Sequence, residues 1–150
     1  MVLRCDLFAG DSKLEAAAVT NPAHIVRGSA GPHIERIHKA LISIDNATIS
    51  KHEISTTFFG ADTEKAVLAY KQKRRIINTT YQKEADAVVG IMTMRSLDEE
   101  MLKFQSQANE STVLFALAAA FGYTPEQSHT VTNSQPLRST IDTLKAKIVK

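Results

Sequence analysis

Cysteine is almost absent from this chain, Cys5 being the only one. A single thiol excludes an internal disulfide framework and suits a reducing compartment better than a secreted one. Long apolar runs are missing as well. Val113 to Phe121 is the most apolar segment, and its nine residues fall far below the roughly 18 that suggest a membrane span. Met1 to Phe8 lacks the basic stretch and apolar run of a signal peptide. The expectation is a soluble protein with no membrane partner, synthesised in the cytoplasm without a signal peptide; any delivery to the periplasm or cell wall would take a non-Sec route. Excess charge of one sign is also small: the formal net charge is +2, which does not imply nucleic acid.

The groupings that catalysis or metal binding requires are missing too. His24, His33, His38, His52 and His129 show no ligand spacing: His33 and His38 turn to different helix faces, and His52-Glu53 lacks the second histidine of His-Glu-x-x-His. Gly28-Ser29-Ala30-Gly31 is not a Gly-x-Ser-x-Gly elbow, and Cys5 has no partner signature for nucleophilic attack. Asp98-Glu99-Glu100 are adjacent rather than facing and read as a solvated helix surface. No enzyme activity, cofactor or metal is expected. Lys71, Lys73, Arg74 and Arg75 form the sharpest basic cluster. Cations at a helix C-terminus are favoured by roughly 0.3–1 kcal/mol each, so the cluster reads as a helix end rather than a nucleic-acid site.

What is present is an ordinary globular composition, 43% hydrophobic and 23% charged over 150 residues, enough chain for a real core. Val2 to Phe8 reads as a short extended arm, and Asp11 to Val19 as a short helix ended by Asn21-Pro22. His24 to Arg27 is extended. Pro32, after Gly28 and Gly31, starts a helix to about Ile44 whose stripe is Ile34, Ile37, Leu41 and Ile44. Asp45 to Thr57 reads as a polar loop. A second helix follows Gly60, capped by Asp62 or Thr63 and burying Ala66, Val67, Tyr70 and Ile77. Asn78 to Asp86 is a loop, and Gly90 opens a third helix along Ile91, Met94, Leu97 and Met101. Ser111 to Phe121 reads as a separate helix closed by Gly122. A linker over about 123–136 and an amphipathic helix from Leu137 to Lys150 complete the chain. The expected organisation is an N-terminal arm (1–23), a central domain (24–104) and a helical C-terminal extension (105–150).

Two segments thirty positions apart share a frame. Phe58-Phe59-Gly60-Ala61-Asp62-Thr63 and Val88-Val89-Gly90-Ile91-Met92-Thr93 each place an apolar residue before Gly and Thr three after it, with Ala66-Val67 and Ser96-Leu97 as a small-large pair further on. Gly would allow an unusual backbone into the helix, Thr would cap the first turn, and the small-large pair would let helices approach. The pair resembles the peptidoglycan-binding domain of the PGBD-like superfamily, whose halves each carry Asp-Gly-x-(Phe/Val)-Gly-x-x-Thr. Gly28-Ser29-Ala30-Gly31 with Ile34, Ile37, His38 and Leu41 is similar to that family's first helix, Ala66-Val67-Leu68-Ala69-Tyr70-Lys71 to its Ala-Val-x-x-Phe-Gln, and Asp86-Ala87-Val88-Val89-Gly90 to its second loop. The resemblance covers roughly residues 24–102. Departures are Thr56-Thr57 for Asp-Gly, Ala87 for Gly, and His38 and Lys71 for Gln.

The resemblance implies a mainly α fold, a three-helix bundle with a short extended arm and additional C-terminal helices. It also implies a non-catalytic module, bacterial or phage-derived, that anchors an enzyme or effector to peptidoglycan. Glycopeptide recognition asks for a shallow groove with Arg or Lys, hydroxyl or amide groups and an aromatic surface. Arg27, Ser29, Thr63, Tyr70 and Tyr81 are the ligand-binding candidates, with core packing for Tyr70 and capping for Thr63 as the competing roles. The rival expectation is an intracellular protein–protein interaction module, an adaptor or secretion-system cargo piece, that engages a protein partner through its C-terminal helix.

Overall fold

The computed structural model describes residues 2–120. Among them are five α-helices, one 3-10 turn at Asn21–Ala23 and no strand: α1 (Ser12–Ala17), α2 (Pro32–Asp45), α3 (Lys51–Thr56), α4 (Ala61–Arg74) and α5 (Ile91–Ala120). The chain divides into two compact units, Met1–Gln105 and Ser106–Lys150, and the division falls within α5. No described helix is long and apolar enough to cross a membrane. The expected linker and the final amphipathic helix lie outside the described residues.

Helix α2 follows its sequence pattern. Gly31 precedes it at φ 132°, a backbone that only glycine adopts without strain, and Pro32 supplies the first helical φ. Ile34, Ile37 and Leu41 are buried, and Asn46 ends the helix in the left-handed conformation. Val67 and Tyr70 from α4 and Met94, Leu97 and Met101 from α5 join the same core. At the end of α4 it is Ile76, not Ile77, that is buried.

The first residues are not an extended arm. Residues 5–10 form turns in which the Cys5 carbonyl accepts from Phe8 and Ala9, and Leu3, Cys5 and Phe8 are core residues. A buried carboxylate holds them: Asp98 Oδ1 accepts the Arg4 and Cys5 amides, each at 2.9 Å. Glu15 accepts the Leu3 amide, and Arg36 donates to the Leu7 carbonyl. Asp98 is therefore not on a solvated surface, and Glu100 pairs with Arg74; of the acidic triplet only Glu99 is exposed.

Two further expectations change. The polar stretch after Asp45 contains α3, and no boundary separates the third helix from the one expected at Ser111: α5 is continuous from Ile91 to Ala120. The basic cluster stands at the C-terminal end of α4, as expected, and most of it is ion-paired there. Lys71 is buried against Asp86, Arg74 bonds Asp45 and Glu100, Lys73 bonds Asp45, and Arg75 is the left-handed cap of α4. The Tyr70 hydroxyl meets Ser96 and Glu100 while the Arg74 guanidinium lies 3.8 Å over its ring, which fastens α4 to α5.

Candidate functional site

The two Gly-x-x-Thr turns are held by one segment, Ile25 to Gly31, which bends through a turn at Arg27-Gly28. Ile25 exchanges both backbone hydrogen bonds with Val89, at 3.0 and 2.9 Å. Three and four residues on, Phe59 accepts from the Gly28 amide and donates to the Ser29 carbonyl, and Gly31 donates to Thr57. Each apolar residue before Gly is thereby pinned and fully buried, and a helix starts one residue after each glycine.

The glycines serve close approach rather than unusual dihedrals. Gly60 has φ −98°, and neither it nor Gly90 has a positive φ. A Cβ on Gly60 would lie 2.5 Å from the Glu53 carboxyl group, and one on Gly90 would lie 2.8 Å from His24 Nε2. The threonines do not cap with their hydroxyls either: Thr93 donates to the Val88 carbonyl and Thr63 to Glu53. The cap of α4 comes from α3, where Glu53 accepts the amides of Gly60, Asp62 and Thr63. Burial pushes the Glu53 carboxyl up, but the Thr63 hydroxyl and these amides outweigh it and hold it below the usual carboxylate range. His38 Nε2 meets Thr63 Oγ1 at 2.7 Å; because that hydroxyl already donates to Glu53, Nε2 carries the proton, and Nδ1 is left buried without a partner among the described residues.

Beside the second turn lies an open cleft of about 380 Å³, a size in the range of small-ligand sites. Its walls are the C-terminal end of α4 with Lys71 and Ile76, the loop carrying Asn78, Tyr81, Gln82 and Asp86, the turn from Val88 to Thr93, and Asn21 and His24. Tyr81 is 75% exposed at this cleft. Lys71 donates to Asp86 and to the Val88 carbonyl, while Gln82 and the Val88 amide complete the carboxylate's partners. Burial pushes the Asp86 carboxyl up, and the Lys71 ammonium with the two further donors overcomes this and holds it low. A second cleft, about 350 Å³, is lined by Ser12, Lys13, Ser29, Ala30 and His33, and His24 borders both.

The five residues expected at a site do not converge. Tyr81 lines the first cleft and Ser29 the second. Arg27 is exposed and paired with Glu64 at 3.0 Å. Thr63 and Tyr70 have no exposed surface, Thr63 being bonded to Glu53 and His38 and Tyr70 packed in the core, so they cannot touch a ligand in this conformation. Asn21, His24, Asn78 and Gln82 were not legible as site residues, since they come from two loops far apart in sequence with no periodic pattern. The only signal was amide- and hydroxyl-rich loop composition. Among the described residues no group of acidic, histidine or cysteine side chains is placed to hold a metal ion.

No family model, curated protein or solved structure matches the chain.

Proposed function

We propose that this chain is a non-catalytic binding module that anchors a bacterial or phage protein to peptidoglycan, with α2, α4 and α5 serving as the three helices of a peptidoglycan-binding-like domain. The observation that carries the reading is the doubled turn. Two Gly-x-x-Thr segments, thirty residues apart, are pinned by the same stretch from Ile25 to Gly31, and each launches a helix into one core. The cleft beside the second turn supplies the amide, hydroxyl and aromatic groups that a polar glycopeptide requires. Fold-level likeness alone supports no ligand, so the doubled turn carries the module assignment and the cleft only the choice of where a ligand would sit.

Sedimentation with insoluble sacculi tests this. The chain is expected in the pellet at low and moderate salt, with Tyr81→Ala shifting it to the supernatant. A chain that stays in the supernatant at both salt concentrations overturns the reading.

One observation favours an intracellular protein–protein module instead: Phe104 and Val113 are exposed apolar residues on α5. Self-association that is concentration-dependent and lost on removing residues 123–150 would support that alternative.

A further inference from the structure

Every fixed charge in the cleft is already matched inside the protein. Among the described residues its only ammonium, on Lys71, is buried and held by Asp86 and the Val88 carbonyl, and Asp86 is in turn bonded by Lys71, Gln82 and the Val88 amide. Among the described residues no guanidinium lines it. The stem peptides of a wall polymer present carboxylates, which are recognised by unpaired Arg or Lys through charge-assisted hydrogen bonds. This cleft has none to offer.

What it does offer is uncharged. The Asn21 carboxamide, the His24 imidazole and the Tyr81 hydroxyl have no hydrogen-bond partner among the described residues, and Asn78 uses only its carbonyl oxygen, toward the Thr80 amide. Each of these groups can donate, and all except the Asn78 NH2, whose carbonyl is engaged, can also accept. Sugar hydroxyls and N-acetyl groups demand that dual capacity. The Tyr81 ring gives an exposed aromatic face on which the apolar C–H side of a pyranose can lie.

We infer that the cleft binds the uncharged saccharide backbone of the polymer, N-acetylated sugar rings stacked on Tyr81, rather than its charged stem peptides. The inference rests on the wall-binding reading but is separable from it.

The test compares bead-coupled glycan strands, stripped of stem peptide by an amidase, with intact sacculi, and uses a soluble stem tetrapeptide as competitor. Retention is expected on both materials, undiminished by the tetrapeptide. Tyr81→Ala should weaken retention about tenfold or more, the loss of one well-placed aromatic contact, and Tyr81→Phe much less. Its melting curve should match the wild type, because the side chain is exposed. Retention on sacculi alone, competed by the tetrapeptide, overturns the saccharide assignment and leaves wall anchoring intact. Retention on neither material overturns both.

Discussion

The hydroxyl of Thr63 donates to Glu53 at 2.6 Å, and the carboxylate that receives it comes from a different helix than the one it caps. Glu53 thus does for α4 what a local N-cap residue would normally do, and it does so while 6% exposed. Glu53→Ala leaves the Gly60 and Thr63 amides buried without partners. A stability loss of about 3 kcal/mol is expected from the unpaired donors and the lost cap, read as a lowered urea midpoint. Glu53→Gln, which keeps one acceptor oxygen, should fall between the two.

The two turn glycines should respond unequally to the same substitution. Gly60→Ala drives a methyl into a Glu53 carboxyl fixed by four hydrogen bonds, whereas Gly90→Ala meets the imidazole of His24, which is exposed and has no hydrogen bond among the described residues. The first variant is expected to lose about 2–3 kcal/mol and the second under about 1 kcal/mol. Parallel denaturant titrations check this; equal losses would contradict the fixed-against-movable distinction.

Acid should weaken the fold through His38. Burial lowers its pKa, and the nearby carboxylates of Glu53 and Glu35 only partly oppose this. The folded chain therefore binds this proton less readily than the unfolded chain, so stability present above the ordinary histidine value of about 6.5 declines as the pH falls below it. His33, also lowered by burial first and by Lys13 next, acts in the same direction. His38→Gln retains a donor for Thr63 and should reduce, without abolishing, the stability lost between about pH 6.5 and 5. Glu53 adds a separate acid loss at lower pH, as the medium falls through the usual glutamate range and its depressed carboxyl protonates.

Much of this architecture could be read directly from residue order, and the exceptions share a cause. The apolar stripe of α2 and the starts of α4 and α5 after Gly60 and Gly90 follow from period and punctuation. Helix α3 does not, because its six residues bury one side chain and that one is a carboxylate. Ser50-Lys51-His52-Glu53 does carry the Ser-x-x-Glu start signal, and Ser50 accepts the Glu53 amide, but without an apolar stripe the signal is weak. Asp98 departs from its sequence pattern for a related reason: an acidic triplet looks solvated until a distant segment folds back to donate to it. At the cleft, only Tyr81 was anticipated. Its other walls come from the ends of α4 and α5 and from loops, and the Asn21–His24 side is brought to them by the Ile25–Val89 pairing, a long-range contact that no local pattern encodes.

Asp98 should also control access to Cys5. Burial, with a smaller contribution from Asp98, pushes the Cys5 thiol up to about 11, against the lowering effect of the Phe8 and Leu7 amides. Native chain is expected to react slowly with a thiol reagent near neutral pH. Asp98→Ala removes the acceptor of the part-buried Arg4 amide and the buried Cys5 amide and should cost about 2–3 kcal/mol, with a faster labelling rate as the first residues detach. Unchanged labelling would show that other contacts hold this segment.

The most direct measurement is an amide-resolved NMR titration of the isotope-labelled chain with a soluble muropeptide. The expected result is a compact set of shifted signals from Asn21, His24, Asn78, Tyr81, Gln82 and the turn at Gly90, with little change around Arg27 or in α3. Saturable shifts centred elsewhere, or no shifts at millimolar ligand, a concentration that reveals even weak binding, would contradict the assignment of this cleft as the wall-binding site.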